Sequence, residues 1–264
     1  MRVKKYDNVI PREKRELISN RYKRITTAIN REFWKTESDT ANSIYVGSYG
    51  RNTAISSSDI DILIELPTSE FDSFNNLKGN VQSRLLQSVK ESIKKTYPNT
   101  DIRADGQIIK IYFSDEIIFE ILPAFKRWDN IFVYPDTNMG GNWMSTNPKA
   151  EQEAIKEKNR QSNGLLVSTC RHMRYIRDYY FRSYYLSGIV IDSFVYHAIG
   201  NWHFTEYEKN KNPQETYEQS LLYYYKINSI FLDRLDLKAP GSNDKVATDK
   251  SVNCLEKVLK CMVD

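Results

Sequence analysis

The stretch VGSYGRNTAISSSDIDILIEL occupies residues 46–66 and contains the most informative pattern of this chain. A short predicted strand, Ile44–Val46, runs into a Gly-Ser turn at Gly47 and Ser48. After a polar loop, Ile60–Leu66 reads as a second strand, because it is rich in β-branched and apolar residues and is followed by proline. The pattern predicts two strands linked by a turn and a loop, with small residues that allow close approach to the backbone.

Two acidic residues, Asp59 and Asp61, are two positions apart along the second predicted strand, so their carboxylates point to the same face. Two carboxylates at this distance repel each other, and the pair becomes favourable if divalent cations bridge it. Two cations about 4 Å apart can hold the attacking and leaving oxygens of a phosphoryl transfer. A third acid, Glu120, lies in a later β-rich run and would complete such a site. The competing interpretation of Glu120 is an exposed strand face, since Ile118 and Leu122 lie on its side of the strand.

Other phosphate- and metal-binding patterns are absent from the sequence. There is no GxxxxGK[ST] P-loop, and the run GSYGRN lacks the GxGxxG pattern of dinucleotide-binding folds. The cysteines and histidines show neither zinc-ligand nor disulfide-framework spacing, which favours reduced thiols and oxygen ligands for any metal. These residues are Cys170, Cys254, Cys261, His172, His197 and His203.

Length and composition indicate a globular protein of ordinary character. The chain has 264 residues, 40% of them hydrophobic and 27% charged, which suits one large domain or two small ones. The net charge of +4 is compatible with anionic ligands but weaker than that of a dedicated nucleic-acid binder, so we expect no strong nucleic-acid binding. The sequence has no bilayer-spanning apolar run and no secretory signal, so we expect a cytoplasmic protein without membrane contact.

Hydrophobic periodicity predicts a mixed first half, with helices over 11–34 and 81–97. Two β-rich runs, 107–113 and 117–122, are predicted to form a hairpin.

Helical patterns dominate from about residue 148 onward, before and after a predicted loop at 236–249. The helices of this half are predicted over 150–180, 186–202, 213–235 and 250–262. The expected fold class is therefore α+β, with domains at 1–148 and 149–264 and the active site in the cleft between them.

The run from Gly47 to Leu66 resembles the signature of the DNA polymerase β-type nucleotidyltransferases, a Gly-Ser turn followed by an Asp-x-Asp strand. Within that superfamily the chain resembles the bacterial cGAS/DncV-like nucleotidyltransferases, which make cyclic di- or oligonucleotide second messengers in anti-phage signalling. Three more segments are similar to motifs of that group: its third-acid strand, its Trp-x-x-Thr-Asn-Pro segment and a helix with a Lys-Tyr-Trp-Lys-like pattern. They are Phe119–Phe125, Trp143–Pro148 and Arg171–Arg177.

Three positions depart from the family's pattern. Glu120 stands where the third acid is usually Asp, and its longer arm changes the placement of the carboxylate. Arg174 stands where a helix Lys usually holds the triphosphate, and Arg is a bidentate phosphate ligand. On the next helix the family often has Ser and Glu, and this chain has Ser187 and Asp192. Because both acids of the Asp-x-Asp strand are intact, the resemblance favours an active enzyme.

The resemblance implies a polymerase β-like nucleotidyltransferase lobe with a mixed sheet, followed by a helical lobe. It implies that Asp59, Asp61 and Glu120 are catalytic and hold two Mg²⁺ ions, with Mn²⁺ as an alternative. The expected substrates are nucleoside triphosphates, ATP among them, and we expect a monomer whose product binds a separate effector protein. The expected nucleotide-binding residues are Gly47, Ser48, Arg51, Arg174 and Ser187.

Two interpretations stay open beside this one. A polymerase β-type nucleotidyltransferase that modifies tRNA, an antibiotic or a protein has the same signature, and so does a non-catalytic nucleotide- or RNA-binding relative. For Arg51 and Thr53, contact with phosphate and ordering of the loop are equally supported. Trp143 and Pro148 are expected to shape the junction between the lobes rather than to contact substrate.

Overall fold

A computed structural model describes residues 1–5, 9–204, 216–229 and 235–264 of the chain. The structure divides into two compact units. The sheet unit comprises Ile10–Gly50 and Ser58–Asn147, and the helical unit comprises Met1–Val9, Arg51–Ser57 and Pro148–Asp264. The long C-terminal segment of the helical unit begins at Pro148, which is one residue before the predicted start of the second domain at residue 149. Two segments of the predicted first domain, 1–9 and 51–57, belong to the helical unit instead.

The sheet unit contains seven strands and four α-helices within the described residues, together with a π-helical turn (Asn30–Trp34) directly after the first helix and a short 3₁₀ turn (Asn138–Gly140). In chain order, these elements are α1 (Arg12–Ile29), β1 (Ser43–Tyr45), α2 (Gly47–Gly50), β2 (Ile60–Leu66), α3 (Thr68–Asn75), α4 (Val81–Thr96), β3 (Asp101–Asp105), β4 (Ile108–Tyr112), β5 (Ile118–Lys126), β6 (Phe132–Asp136) and β7 (Asn142–Thr146).

The sheet is mixed, as the resemblance implies. Its order is β1-β2-β5-β4-β3, and β6 pairs with both β5 and β7. The β2–β5 pair is parallel, whereas every other pair in this sheet is antiparallel. One face of the sheet contributes Ile62 and Ile121 to a buried cluster that also contains Ile25 of α1 and Leu85 of α4. Removal of these aliphatic side chains from water is the main force that holds the helices on the sheet.

The long elements of this unit agree with the sequence predictions. Strand β2 has the predicted bounds, both long helices are confirmed, and β4 and β5 form the predicted antiparallel hairpin. The sequence analysis missed four elements: β3, β6, β7 and α3. Strand β3 has the sequence DIRAD, which carries little apolar pattern, and it is defined by its ladder with β4.

The helical unit contains five helices and one short hairpin within the described residues. They are α5 (Pro148–Gln161), α6 (Leu165–Tyr180), α7 (Gly188–Ala198), α8 (Tyr217–Ser229), β8 (Leu237–Lys238), β9 (Lys245–Val246) and α9 (Val252–Val263).

Two predictions for the helical unit are corrected by the structure. The single helix predicted over 150–180 is two helices, because Gly164 has a left-handed φ of 89° and ends the run before α6. The predicted loop at 236–249 contains the β8–β9 hairpin. The helix predicted over 213–235 is present as α8, and residues 213–215 and 230–234 lie outside the described part of the chain.

Cys170, Cys254 and Cys261 carry free thiols, and the first two are buried. Burial raises the pKa of the Cys170 thiol well above its ordinary value, so this side chain behaves as a small apolar residue. No helix in the described ranges combines the length and apolar character needed to cross a membrane.

Candidate active site

The Gly-Ser turn is a single helical turn, α2, that follows directly from the end of β1. The backbone N–H of Gly50 donates to the carbonyl of Val46 over 2.8 Å and closes the turn. The N–H of Val46 in turn donates to the carbonyl of Asp61 over 2.9 Å, which continues the antiparallel β1–β2 ladder by one more bond. The ladder therefore brings the start of the turn beside Asp61.

Gly47 is the residue of the turn that lies against Asp61. A Cβ atom on Gly47 would lie 2.8 Å from the Asp61 Cβ and would overlap its carboxylate oxygen Oδ2. The φ of Gly47 is +56°, in the left-handed region that side-chain-bearing residues rarely adopt. Both the backbone conformation and the available space therefore require glycine here.

Asp61 is paired across the sheet with Glu120. In the parallel β2–β5 ladder, Asp61 and Glu120 are directly opposite each other, so their side chains lie on the same face of adjacent strands. Asp59 is exposed and precedes β2 by one residue. The structure thus brings the predicted third acid next to Asp61, although Glu120 is 59 positions further along the chain.

Glu120 has a second neighbour, Lys110 of β4, which the sequence analysis did not identify. Lys110 is directly opposite Glu120 in the antiparallel β4–β5 ladder, and its Nζ lies 3.0 Å from Glu120 Oε1. The hydrogen bond that Lys110 donates to Glu120 raises the pKa of the ammonium group above its ordinary value. The two side chains are 27% and 22% exposed, so solvent partly screens the pair.

The residues present fit a divalent cation by their chemistry. Carboxylate oxygens are the donors that Mg²⁺ and Mn²⁺ prefer, and the absence of a Cβ at Gly47 makes room for the Asp61 carboxylate itself. In the described parts of the chain, no group of three His, Cys, Asp or Glu side chains is already gathered as a metal site.

Aromatic packing supports the turn from the side of the helices. Tyr49 of α2 packs against Tyr45 of β1, with ring centroids 4.7 Å apart. Tyr45 stacks on Tyr22 of α1 at 4.2 Å and an interplanar angle of 24°. Burial raises the pKa of all three phenols, so they are neutral at physiological pH. This stack anchors the turn to the core of the sheet unit.

The loop after the turn belongs to the helical unit, where Asp192 of α7 holds it. Asp192 Oδ2 accepts hydrogen bonds from Arg51 Nε and from Thr53 Oγ1, both at 2.9 Å. Arg51 also bonds Glu151 of α5, with Nη1 2.7 Å from Oε2. All four residues are buried. Of the two roles left open for Arg51 and Thr53, the structure therefore shows contacts that order the loop.

Arg174, the predicted phosphate-binding cation, is buried within the helical unit. The side chain is 1% exposed, and its guanidinium is used inside the helical unit. Its Nη1 lies 2.6 Å from Asp192 Oδ1 and its Nη2 donates to the carbonyl of Gly188 over 3.0 Å. The guanidinium groups of Arg51 and Arg174 thus both lie beside buried carboxylates. The nucleotide-binding roles of these two residues stay predictions.

Ser187 is the residue before α7. Its carbonyl accepts from the N–H of Ile191 over 3.2 Å, and its own N–H donates to Ser251 Oγ over 3.1 Å. These contacts define the start of α7, and the nucleotide-binding role of Ser187 stays a prediction.

A family model places this arrangement among known proteins. The model described as the Second Messenger Oligonucleotide or Dinucleotide Synthetase (SMODS) domain matches residues 4–159, more than half of the chain. The chain belongs to the SMODS family. The matched segment contains the turn, the Asp-x-Asp strand and the third acid, together with Lys110.

A curated relative supports this SMODS assignment. A probable cyclic nucleotide synthase of Bacillus cereus strain VD146 is 27% identical over 131 residues. The alignment spans 45% of this chain and only 39% of the length of that relative.

Solved SMODS-like structures share the fold across most of this chain. The Elizabethkingia meningoseptica CdnE cyclic dinucleotide synthase has a TM-score of 0.61 at 16% identity and covers 91% of this chain and 89% of its own. The Rhodothermus marinus CdnE c-UMP-AMP synthase has a TM-score of 0.62 at 15% identity, with 93% and 89% covered. The Vibrio cholerae DncV cyclic AMP-GMP synthase has a TM-score of 0.59 at 14% identity, with 84% and 62% covered. At these identities the likeness shows the fold alone.

The sequence contains patterns that indicate the environments of two residues, Asp192 and Lys110. The sequence analysis noted Asp192 only as a family position and did not identify Lys110. Asp192 interrupts an apolar helix between Ile191 and Phe194, and a carboxylate in such a position requires a buried cation. Lys110 alternates with Ile109 and Ile111, which places it on the opposite face of β4 from the core. Neither pattern identifies the residue that pairs with Asp192 or with Lys110, because that residue lies on another strand, helix or loop.

Proposed function

We propose that this protein is a nucleotidyltransferase that joins nucleoside triphosphates into a cyclic di- or oligonucleotide. The observation that carries the proposal is the register of Asp61 and Glu120 on adjacent parallel strands, with Gly47 against the Asp61 carboxylate. This arrangement puts oxygen donors beside a turn whose backbone lacks a side chain, as a site for triphosphate and divalent cations requires. Membership of the SMODS family supports the same activity.

The proposed roles follow from where each residue lies. Asp59, Asp61 and Glu120 are the residues that would hold two Mg²⁺ ions, or Mn²⁺ in their place. Such ions, when bound, neutralise phosphate charge and lower the pKa of an attacking hydroxyl.

The small residues of the turn contribute to donor binding in a different way. Gly47 lets the donor phosphates approach the backbone, and the Ser48 hydroxyl is placed one residue further along the same turn. Because phosphoryl transfer needs little covalent chemistry from the protein, positioning of donor and acceptor supplies most of the rate enhancement.

Lys110 extends the proposed site beyond the acids. Its ammonium neutralises Glu120 in the metal-free protein and so offsets the repulsion between Glu120 and Asp61 on the adjacent strand. The same charge competes with a cation for Glu120. Lys110 would therefore set how much divalent cation the protein needs, and its removal is one of the tests below.

The biological setting is proposed from the family and from the similar proteins. Two of the solved structures are described with nucleotides or their analogues, GTP and Apcpp in one and Apcpp and Upnpp in the other. We propose that ATP is among the substrates of this chain, and that the product binds a separate effector protein in anti-phage signalling. We further propose a cytoplasmic monomer that binds no membrane and no nucleic acid strongly.

The direct test is synthesis without an added acceptor. The purified protein is incubated with all four nucleoside triphosphates and Mg²⁺, and then with each nucleotide omitted in turn. Release of pyrophosphate together with a phosphatase-resistant product in the mass spectrum supports the proposal, and the omissions identify the bases. Product that appears only with added tRNA, antibiotic or protein supports the other nucleotidyltransferase class. Complete absence of turnover supports a non-catalytic relative.

Matched variants test whether the activity depends on the proposed acidic residues. Asp59→Asn combined with Asp61→Asn should lower the rate by about a thousandfold, because the metal-dependent stabilisation of several kcal/mol is lost. The variant should stay folded, since it removes two mutually repelling charges. Glu65→Gln is the control, because Glu65 lies on the same face of β2 and outside the proposed site. Substantial activity in a folded double variant would remove the assigned acids from the mechanism.

A further inference from the structure

The segment 51–57 is held by the helical unit, although its neighbours on both sides carry the proposed active site. It begins directly after Gly50 of the α2 turn and ends two residues before Asp59. Four of its polar side chains are bonded to the helices α5, α6 and α7. They are Arg51, Asn52, Thr53 and Ser57.

Asp192 is the centre of these contacts. Its side chain is fully buried, and both of its oxygens are used: Oδ2 accepts from Arg51 and Thr53, and Oδ1 from Arg174. Burial works to raise the pKa of this carboxyl, but Arg174 and Arg51 outweigh it and hold the pKa at about 2. Asp192 is therefore ionised at neutral pH, within a cluster where Glu151 balances the second positive charge.

Stability alone is a weak explanation for such a cluster. The cost of removing four charges from water cancels much of their attraction, and apolar packing of similar volume is often as stable. Apolar packing is not directional, so it does not by itself fix the position of the groups that it brings together. The hydrogen bonds from Arg51 and Thr53 to a single carboxylate oxygen specify where two residues of the loop lie.

Two further contacts extend this anchoring along the segment. Arg171 of α6 donates from Nη2 to the backbone carbonyl of Asn52 at 3.0 Å and to its side-chain Oδ1 at 2.9 Å. Ser57 donates to Asp178 Oδ2 of the same helix over 2.6 Å. The segment is thus bonded to the helices through its first three residues and its last residue.

We propose that Asp192 is a positioning residue for the nucleotidyltransferase reaction: through Arg51 and Thr53 it fixes the loop that joins Ser48 to Asp59. The proposal rests on the proposed function and adds to it a residue of α7 that touches neither nucleotide nor metal. Displacement of reacting groups by about 1 Å costs on the order of a hundredfold in rate, so a loop between two parts of one site has a direct effect on catalysis.

Thr53→Val tests the anchor with little change of shape. Thr53 is fully buried, and the substitution removes the hydroxyl that donates to Asp192. The matched control is Ser193→Ala, also fully buried and next to Asp192 on α7, whose hydroxyl has no hydrogen-bond partner among the described residues. We expect Thr53→Val to lower kcat at least about tenfold with KM for nucleotides changed less than about threefold. Ser193→Ala should keep the wild-type kcat, and Thr53→Ser should restore most of the lost rate.

A purely structural role gives a different result. Thr53→Val would then lower the melting temperature relative to Ser193→Ala while the folded fraction of each variant kept the wild-type kcat, and the proposal would be overturned. Amide hydrogen exchange over residues 46–61 supplies a readout that needs no turnover. Faster exchange in Thr53→Val than in Ser193→Ala supports the anchor, and equal exchange contradicts it. If the wild type makes no product, the proposed function has failed. The exchange data alone then decide whether the contact between Thr53 and Asp192 anchors the loop.

Discussion

Gly47 lies so close to Asp61 that a Cβ atom on residue 47 would overlap the aspartate carboxylate. The contact follows from the hydrogen bond between the N–H of Val46 and the carbonyl of Asp61, which sets the turn against the strand. A glycine in this turn thus serves the acid beside it as well as the phosphate that the turn is proposed to hold.

Gly47→Ala should therefore abolish most of the activity. The substitution adds strain of about 1 to 2 kcal/mol from the positive φ, and it also pushes the Asp61 carboxylate aside, which we expect to cost about a hundredfold in kcat. Gly200→Ala separates the two effects, because Gly200 has a φ of +53° and open space where its Cβ would lie. Both variants should lose similar stability in urea denaturation, and only Gly47→Ala should lose rate. Equal rates in the two would show that Asp61 tolerates displacement.

Lys110→Met should strengthen the binding of divalent cations. The ammonium lies 3.0 Å from Glu120, and removal of a competing charge at a partly exposed site is worth about 1 kcal/mol, or about fivefold in affinity. Titration of the nucleotide-free protein with Mn²⁺, followed by electron paramagnetic resonance, measures this without turnover. Arg103→Met is the control, since Arg103 is the next cation in the same row of the sheet and pairs with Asp101. Weaker Mn²⁺ binding in Lys110→Met would show that the lysine supports the metal site.

Arg174→Ala should destabilise the protein rather than raise KM alone. Removal of Arg174 leaves the buried cluster of Arg51, Asp192 and Glu151 with one uncompensated negative charge, and this costs about 3 to 5 kcal/mol in the free energy of unfolding. Arg171→Ala, on the same helix but with a more exposed guanidinium, should cost less than about 1 kcal/mol. Chemical denaturation of both variants gives the comparison. A wild-type unfolding curve for Arg174→Ala, together with a raised KM for nucleotides, would instead support Arg174 as a phosphate ligand.

The stability of the protein should depend on pH through Asp192. Its folded-state pKa of about 2 lies below the ordinary value of 3.8, so ionised Asp192 stabilises the fold above about pH 4. This contribution is lost as the pH falls from about 4 to about 2. Glu151 affects stability in the opposite direction. Because burial raises the pKa of its carboxyl, its contribution to the free energy of unfolding is present at low pH and is lost as the pH rises through the folded-state pKa.

Asp192→Asn isolates the first of these effects. The difference in unfolding free energy between wild type and Asp192→Asn should be largest above about pH 4 and should shrink toward pH 2. Denaturant titrations at several pH values measure it. Ser193→Ala provides the comparison, since it removes no titratable group and its difference from wild type should not vary with pH. Parallel curves for wild type and Asp192→Asn over this range would contradict the assignment of a low pKa to Asp192.

Local spacing was sufficient to predict β2 and the long helices of the sheet unit. Those features depend on periods of two and about 3.6 residues, which a sequence displays directly. The choice of Glu120 as third acid came from a family resemblance, because no local pattern reports which strand lies next to β2. The parallel register of Asp61 and Glu120, and the antiparallel register of Lys110 and Glu120, are visible only in the assembled sheet.

Arg174 is a second example of a residue whose environment the local sequence pattern does not determine. It lies three residues from Arg171 and from Arg177, and nothing in the helical pattern distinguishes a buried cation from an exposed one. Its environment depends on Asp192, 18 positions further along the chain, and on an arginine contributed by a loop more than a hundred positions earlier. Local periodicity specifies which face of its own helix a side chain occupies. Burial and charge pairing depend on which other segments cover that face, and this information arises only when distant parts of the chain pack together.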